Sequence, residues 1–122
     1  MTQKTLLIVD DSADNIQLLS GILRQHYKVK AATRGDRALK IAQKTPPPDL
    51  VLLDVVMPEM DGYEVCRQLK ENPQTMNIPV VFISGNISAE EQQKGLDMGA
   101  EAYMGKPVDS SKLLETIERL LA

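Results

Sequence analysis

The amino-acid sequence predicts an α/β domain in which a parallel sheet is covered by helices on both faces. Apolar runs of four to six residues alternate with longer segments of helical periodicity along all 122 residues. The run DLVLLDVV (49–56) is apolar on both faces, as a strand inside a parallel sheet must be. Aspartates lie at the ends of two such runs, where ligand sites of open α/β sheets form. We expect residues 1–122 to form a single domain without an output domain.

Five strands are predicted from the short apolar runs. The first is TLLIV (5–9), and the second is the alternating segment YKVKAAT (27–33). DLVLLDVV (49–56) is the third and PVVFISG (79–85) the fourth, both continuously apolar. The short run EAYMG (101–105) is the fifth.

A helix is predicted after each strand. The first and last helices each carry an apolar face, formed by Ile16, Leu19, Ile22 and Leu23, and by Leu113, Leu114, Ile117, Leu120 and Leu121. The other three are predicted over 36–44, 61–72 and 88–99, and the last over 109–122. A triple proline ends the second helix. Asp61 with Glu64, and Ser88 with Glu91, have capping-box spacing, and Gly99 stands where a C-terminal glycine is expected.

Composition excludes several classes of function. The net charge is −3 with no run of Lys or Arg, which argues against direct nucleic-acid binding and against a membrane surface. No apolar run approaches the length of a membrane span, and the N-terminus lacks a signal-peptide pattern. The single cysteine, Cys66, cannot form an internal disulfide and is expected to be buried. We therefore expect a cytoplasmic protein.

Polar side chains follow four of the predicted strands and are expected to converge at one edge of the sheet. They are Asp10 and Asp11 after the first strand, Asp54 in the third, Ser84 in the fourth and Lys106 after the fifth. Three carboxylates and one amine leave a charge that a divalent cation neutralises, and oxygen ligands suit Mg²⁺. Each signal has a plainer alternative, namely helix capping by the aspartates, a turn hydroxyl and a surface lysine. Their joint placement favours a site.

These residues belong to motifs that resemble the receiver domain of two-component response regulators. The motifs are VDDS (9–12), LLDVVMPEMDG (52–62), FISG (82–85) and YMGKP (103–107). The resemblance covers essentially the whole chain. It implies a flavodoxin-like, doubly wound sheet of strand order 2-1-3-4-5 in a bacterial signalling protein.

The resemblance also implies roles at the site. Asp54 is the expected phosphoacceptor, taking a phosphoryl group from a histidine kinase or a histidine phosphotransfer protein. Asp11 and Asp54 are expected to bind Mg²⁺ directly, Asp10 through water, and Val56 through its backbone carbonyl. The chain would catalyse only its own phosphorylation and dephosphorylation. The apolar Val56 side chain cannot orient an attacking water, which predicts a long-lived phosphoform.

Three further residues complete the implied machinery. Lys106 is expected to pair with Asp54 and then with the phosphoryl oxygens, aided by a cis bond to Pro107. Ser84 is the expected switch hydroxyl and Tyr103 the switch aromatic. Their displacement would alter the surface of the fourth helix, fifth strand and fifth helix, which would signal to an output domain or downstream protein or support a phosphorylation-dependent homodimer.

Three alternatives remain open from the sequence. A Mg²⁺-dependent phosphatase would use similar residues, but such enzymes usually carry Asp-x-Asp on the first strand, and Val56 takes the place of the second Asp after Asp54. A flavin or nucleotide binder would need a phosphate-cradling loop, whereas DDSADN (10–15) would repel phosphate. The third is a receiver-like module that no longer accepts phosphate. The single histidine, His26, is expected to be a surface or capping residue rather than a phosphodonor or a ligand.

Overall fold

The computed structural model of the protein describes residues 3–122, and within them five strands form one parallel sheet. The strands are β1 (Thr5–Val9), β2 (Lys28–Ala32), β3 (Leu50–Asp54), β4 (Val80–Ser84) and β5 (Ala102–Gly105). Their order across the sheet is β2-β1-β3-β4-β5, and all neighbouring pairs are parallel. The predicted fold class and strand order are therefore confirmed.

A helix follows every strand, as predicted. The helices are α1 (Ala13–Leu23), α2 (Gly35–Ala42), α3 (Gly62–Glu71), α4 (Ala89–Asp97) and α5 (Ser110–Leu121). α1 and α5 cover one face of the sheet through Leu19, Leu23, Leu113 and Ile117. α2 and α3 cover the other face through Ala38, Leu39, Ala42, Val65, Cys66 and Leu69. The burial of Cys66 raises the pKa of its thiol to about 11.

The sheet is buried on both faces because its strands alternate between the two layers. In β1, Leu6 and Ile8 pack in the layer of α1 and α5, whereas Leu7 and Val9 pack in the layer of α2 and α3. Every residue of β3 and β4 is buried. Burial on both sides explains why these two strands read as continuous apolar runs rather than as alternating patterns.

Side-chain caps begin four of the five helices. Each cap accepts a hydrogen bond from a backbone N–H three residues later, and the caps are Ser12, Asp61, Ser88 and Asp109. The predicted starts at Asp61 and Ser88 are thus confirmed. In a complete capping box the glutamate would also accept the backbone N–H of the cap residue. Here the Glu64 carboxylate pairs with Arg67 and the Glu91 carboxylate accepts from Tyr63, so this second bond of each predicted capping box is replaced. Gly99 adopts φ of 100° after α4, as expected of a C-terminal glycine.

The third strand is shorter than its apolar run. β3 ends at Asp54 because the chain turns there, and the carbonyl of Val55 accepts the N–H of Gly62 at 2.8 Å. The peptide bond between Lys106 and Pro107 is cis, as expected, and His26 is exposed. Among residues 3–122, every helix is too short or too polar to traverse a bilayer.

Candidate functional site

Three carboxylates meet at the carboxyl edge of the sheet because β1 and β3 are neighbours. Asp10 and Asp11 directly follow β1, and Asp54 is the last residue of β3. One oxygen from each carboxylate lies within 4.8 Å of the others. Asp10 is 2% exposed and Asp54 6% exposed, whereas Asp11 faces solvent. The arrangement is a small acidic pocket with a buried floor and an open rim.

Lys106 connects two of these carboxylates. Its Nζ donates hydrogen bonds to Oδ2 of Asp10 and to Oδ1 of Asp54, each at 3.2 Å. Burial opposes the charge of the amine, but the Asp54 and Asp10 carboxylates outweigh burial and raise the pKa of Lys106. Lys106 is thus a charged partner inside the acidic pocket and not an ordinary surface lysine.

Asp54 is a buried carboxylate that lies between a second carboxylate and an amine. Burial and the neighbouring Asp10 carboxylate raise the pKa of Asp54 above its ordinary value, while Lys106 acts in the opposite direction. A buried carboxylate that is held close to a second carboxylate and to an amine is typical of a functional site. This charge pattern makes Asp54 a candidate functional residue of the pocket.

In the turn after β1, Asp10, Asp11 and Ser12 differ in their contacts. Oδ1 of Asp10 accepts the N–H of Ser12 at 2.9 Å, and Ser12 in turn caps α1 by accepting the N–H of Asn15. The capping alternative therefore applies to Ser12. Asp10 orders the turn with one oxygen and binds Lys106 with the other, while Asp11 remains at the rim.

The loop from β3 to α3 passes unusually close to the end of β3. A side chain at Gly62 would place its Cβ 2.1 Å from the carbonyl oxygen of Asp54, so only glycine fits. Val56 lies in this loop with a side chain 75% exposed. The loop is thereby fixed against the backbone of Asp54, while the Val56 side chain is exposed to solvent.

Ser84 and Tyr103 form a second group beside the acidic pocket. Ser84 ends β4 and is buried, and its Oγ accepts the N–H of Asn86 at 3.1 Å. The hydroxyl of Tyr103, in β5, donates to the backbone carbonyl of Asn86 at 2.8 Å, and its ring packs against Phe82. Both residues thus hold the loop between β4 and α4, and the oxygen of Ser84 is engaged with this loop.

Comparison with known proteins decides the family. The family model described as "Response regulator receiver domain" matches residues 6–118. The chain belongs to this family. The receiver domain is 53% identical over 108 residues to a protein of Vibrio cholerae named probable cyclic di-GMP phosphodiesterase, covering 88% of the chain and 24% of that protein. It is 40% identical over 116 residues to the response regulator PleD of Caulobacter vibrioides, covering 94% of the chain and 25% of PleD.

A solved structure of a chemotaxis protein has the same fold as the receiver domain. Chemotaxis protein CheY4 of Vibrio cholerae superposes on the receiver domain with a TM-score of 0.91 and 33% identity, and the superposition covers 98% of this chain and 100% of CheY4. The receiver domain spans about a quarter of the length of the two curated relatives above. Family membership favours the receiver reading over the phosphatase and nucleotide-binder alternatives, since the family is a signalling domain.

The receiver domain also contains contacts that the sequence did not predict. The hydroxyl of Tyr103 donates to the backbone carbonyl of Asn86. This partner could not be predicted from the sequence, because any residue supplies a carbonyl. Tyr63 donates to Glu91 across two helices, and only the tertiary packing brings them together. Gly62 belongs to the motif LLDVVMPEMDG, but its close approach to Asp54 is visible only in the folded chain.

Proposed function

We propose that this receiver domain accepts a phosphoryl group on Asp54 from the phosphohistidine of a histidine kinase or a histidine phosphotransfer protein, in a reaction that requires Mg²⁺. The observation that carries the proposal is the pocket in which the Lys106 amine bridges the buried carboxylates of Asp10 and Asp54 at 3.2 Å. Asp11 lies at the exposed rim of this pocket, and we propose that the donor's phosphohistidine approaches from that side.

The donor set of the pocket fits Mg²⁺. Three carboxylates and one ammonium group sum to a formal charge of −2, which a divalent cation neutralises, and all the donors are oxygens. We propose Asp11 and Asp54 as direct ligands, Asp10 as a ligand through water, and the backbone carbonyl of Val56 as a further oxygen. When bound, the ion would offset the negative charge of the phosphoryl oxygens.

Asp54 is the proposed nucleophile. A carboxylate oxygen forms the new bond to phosphorus while the bond from phosphorus to the donor's imidazole nitrogen breaks, and that nitrogen keeps the electron pair and takes up a proton. Lys106 favours the ionised form of Asp54 before transfer, since its ammonium group donates to Oδ1. After transfer the same ammonium group is placed to donate to a phosphoryl oxygen. The chain acts on no other substrate in this proposal and catalyses only its own phosphorylation and dephosphorylation.

The signal is proposed to pass through Ser84 and Tyr103. Ser84 would release the N–H of Asn86 and donate to the phosphoryl group, and Tyr103 would follow the loop that it now holds through Asn86. This rearrangement would change the surface of α4, β5 and α5, which we propose contacts an output domain, a downstream protein or a second copy of the chain. The proposed location is the cytoplasm, where histidine kinases present their phosphohistidine, and no nucleic acid is contacted directly.

The relatives suggest two arrangements for this domain. One is a receiver within a longer regulator, as in the two relatives that extend well beyond the matched segment. The other is a stand-alone domain over residues 1–122, as in CheY4, whose whole length is matched. The proposed phosphoacceptor chemistry is the same in both arrangements.

Intact-mass analysis after incubation with acetyl phosphate tests the proposal. We expect one phosphate adduct in the presence of Mg²⁺, none with a chelator, and none in Asp54→Asn. Asp97→Asn, which changes an exposed aspartate of α4, serves as the matched control and should form the adduct normally. No adduct under any condition would show that the chain is a receiver that no longer accepts phosphate.

A further inference from the structure

α4 has few apolar anchors to the rest of the molecule. Gly95 is the only buried residue of its nine, and Leu96 is largely exposed. A helix that buries so little apolar surface depends on individual contacts for its position. The contacts that fix α4 are therefore the ones that decide how readily this part of the surface moves.

Tyr63 supplies several of these contacts. It lies in the first turn of α3, is 5% exposed, and donates through its hydroxyl to the carboxylate of Glu91 in α4. The hydroxyl also lies 3.2 Å from the backbone carbonyl of Glu91. The Nζ of Lys94 lies 4.4 Å from the centroid of the Tyr63 ring, a cation–π geometry. One tyrosine thus binds two successive turns of α4.

The Tyr63 ring is connected to the proposed switch residue Tyr103 through the ring of Phe82. Its centroid lies 5.2 Å from that of Phe82, which lies 5.9 Å from that of Tyr103. Gly95 packs directly onto this row, since a Cβ there would come within 2.9 Å of both Phe82 and Tyr103. Tyr63 and Tyr103 therefore both hold this region, Tyr63 through Glu91 near the start of α4 and Tyr103 through Asn86 in the preceding loop.

Tyr63 is also adjacent to the acceptor. It follows Gly62, whose Cα lies so close to the carbonyl of Asp54 that no side chain fits there. The tyrosine is thus anchored at one end beside the backbone of Asp54 and at the other end on Glu91. The hydroxyl contact to Glu91 therefore depends on the position of α4.

We propose that Tyr63 is a positioning residue for the phosphorylation of this domain. The bond from its hydroxyl to Glu91 holds α4 in the position in which Ser84 stays bonded to the N–H of Asn86. The inference rests on the proposed function. Because the bond stabilises the conformation in which Ser84 is engaged with Asn86, it opposes the movement of Ser84 toward a phosphoryl group. Loss of the Tyr63 hydroxyl shifts the population toward the conformation that binds the phosphoryl group, and Tyr63→Phe accepts phosphate faster than the wild type.

The test compares initial rates of adduct formation with acetyl phosphate and Mg²⁺ in Tyr63→Phe, Glu91→Ala and the double variant. Loss of the hydrogen bond between Tyr63 and the Glu91 carboxylate should increase the initial rate about tenfold in each single variant. The double variant should be no faster than Tyr63→Phe, because Tyr63→Phe already removes the hydroxyl that donates to Glu91. Tyr27→Phe, on the opposite face of the sheet, is the matched control and should keep the wild-type rate.

A spectroscopic readout separates positioning from mere packing. The chain has three tyrosines, so ¹³C-tyrosine labelling gives a simple NMR spectrum. In unphosphorylated Tyr63→Phe, the Tyr103 ring signal should move toward its position in phosphorylated wild type. An unmoved Tyr103 signal, an unchanged rate, or gains that multiply in the double variant would overturn the inference. A wild type that forms no adduct would refute the proposed function itself, which distinguishes that failure from failure of the inference alone.

Discussion

Replacing Asp54 by asparagine is expected to stabilise the fold at neutral pH when Mg²⁺ is absent. The ionised carboxylate is buried, and it lies no more than 4.8 Å from Asp10 and 3.2 Å from Nζ of Lys106. With an effective dielectric constant of about 20, attraction to Lys106 contributes about 5 kcal/mol and repulsion by Asp10 costs about 3.5 kcal/mol. The remaining attraction is smaller than the cost of burying the charge, which is several kcal/mol. We therefore expect Asp54→Asn to raise the free energy of unfolding by about 2 kcal/mol.

The pH dependence follows from the same environment. The pKa of Asp54 is raised in the folded protein above its ordinary value of 3.8, so the folded state binds more protons than the unfolded state just above that pH. The free energy of unfolding of the wild type therefore falls as pH rises from about 3.8 through the raised pKa. Asp54→Asn lacks this loss, and the two proteins should converge in stability toward acid pH.

Urea unfolding in a chelator, followed by circular dichroism, measures the difference at several pH values. Asp97→Asn is the control, and it should change the free energy of unfolding by no more than about 0.5 kcal/mol. Mg²⁺ should stabilise the wild type and Asp97→Asn but not Asp54→Asn. An Asp54→Asn protein that is less stable than the wild type at neutral pH would show that the pairing with Lys106 outweighs burial and repulsion, which would refute the reasoning.

Three further predictions concern the same pocket. Lys106→Met leaves the carboxylates of Asp10 and Asp54 without their cation and should lower the free energy of unfolding by about 3 kcal/mol in urea at neutral pH. A Lys106→Met protein as stable as the wild type at neutral pH would contradict this prediction. Gly62→Ala forces a Cβ toward the Asp54 carbonyl and should cost at least about 3 kcal/mol, or prevent folding, as measured by the same unfolding assay. Val56→Asn should hasten loss of the phosphate adduct in a mass time course, and an unchanged rate would count against a role for Val56 in the lifetime.

The strands and their order were predictable because a buried parallel sheet needs apolar residues on both faces. β3 and β4 therefore appeared as continuous runs, and the resemblance supplied the order in which they pair. The end of β3 was placed two residues late, since Val55 and Val56 are as apolar as the strand that precedes them. The close contact between Gly62 and Asp54 that accompanies the turn has no signature in hydropathy.

The acidic pocket was predictable for a similar reason. Strand ends are visible in sequence, and parallel strands bring their ends to one edge, so Asp10, Asp54 and Lys106 could be placed together. The bond between Tyr63 and Glu91 could not be foreseen. It joins two helices that are separated by a strand in sequence, and Glu91 was assigned to a capping box that the tertiary contact replaces.

Chemical identification of the phosphorylated residue tests the central claim most directly. The domain would be phosphorylated with acetyl phosphate and Mg²⁺, reduced with borohydride, which converts an aspartyl phosphate to homoserine, and digested for peptide mass spectrometry. The account predicts homoserine at position 54 and at no other aspartate. Homoserine at position 10 or 11, with Asp54 unchanged, would contradict the assignment of Asp54 as the acceptor.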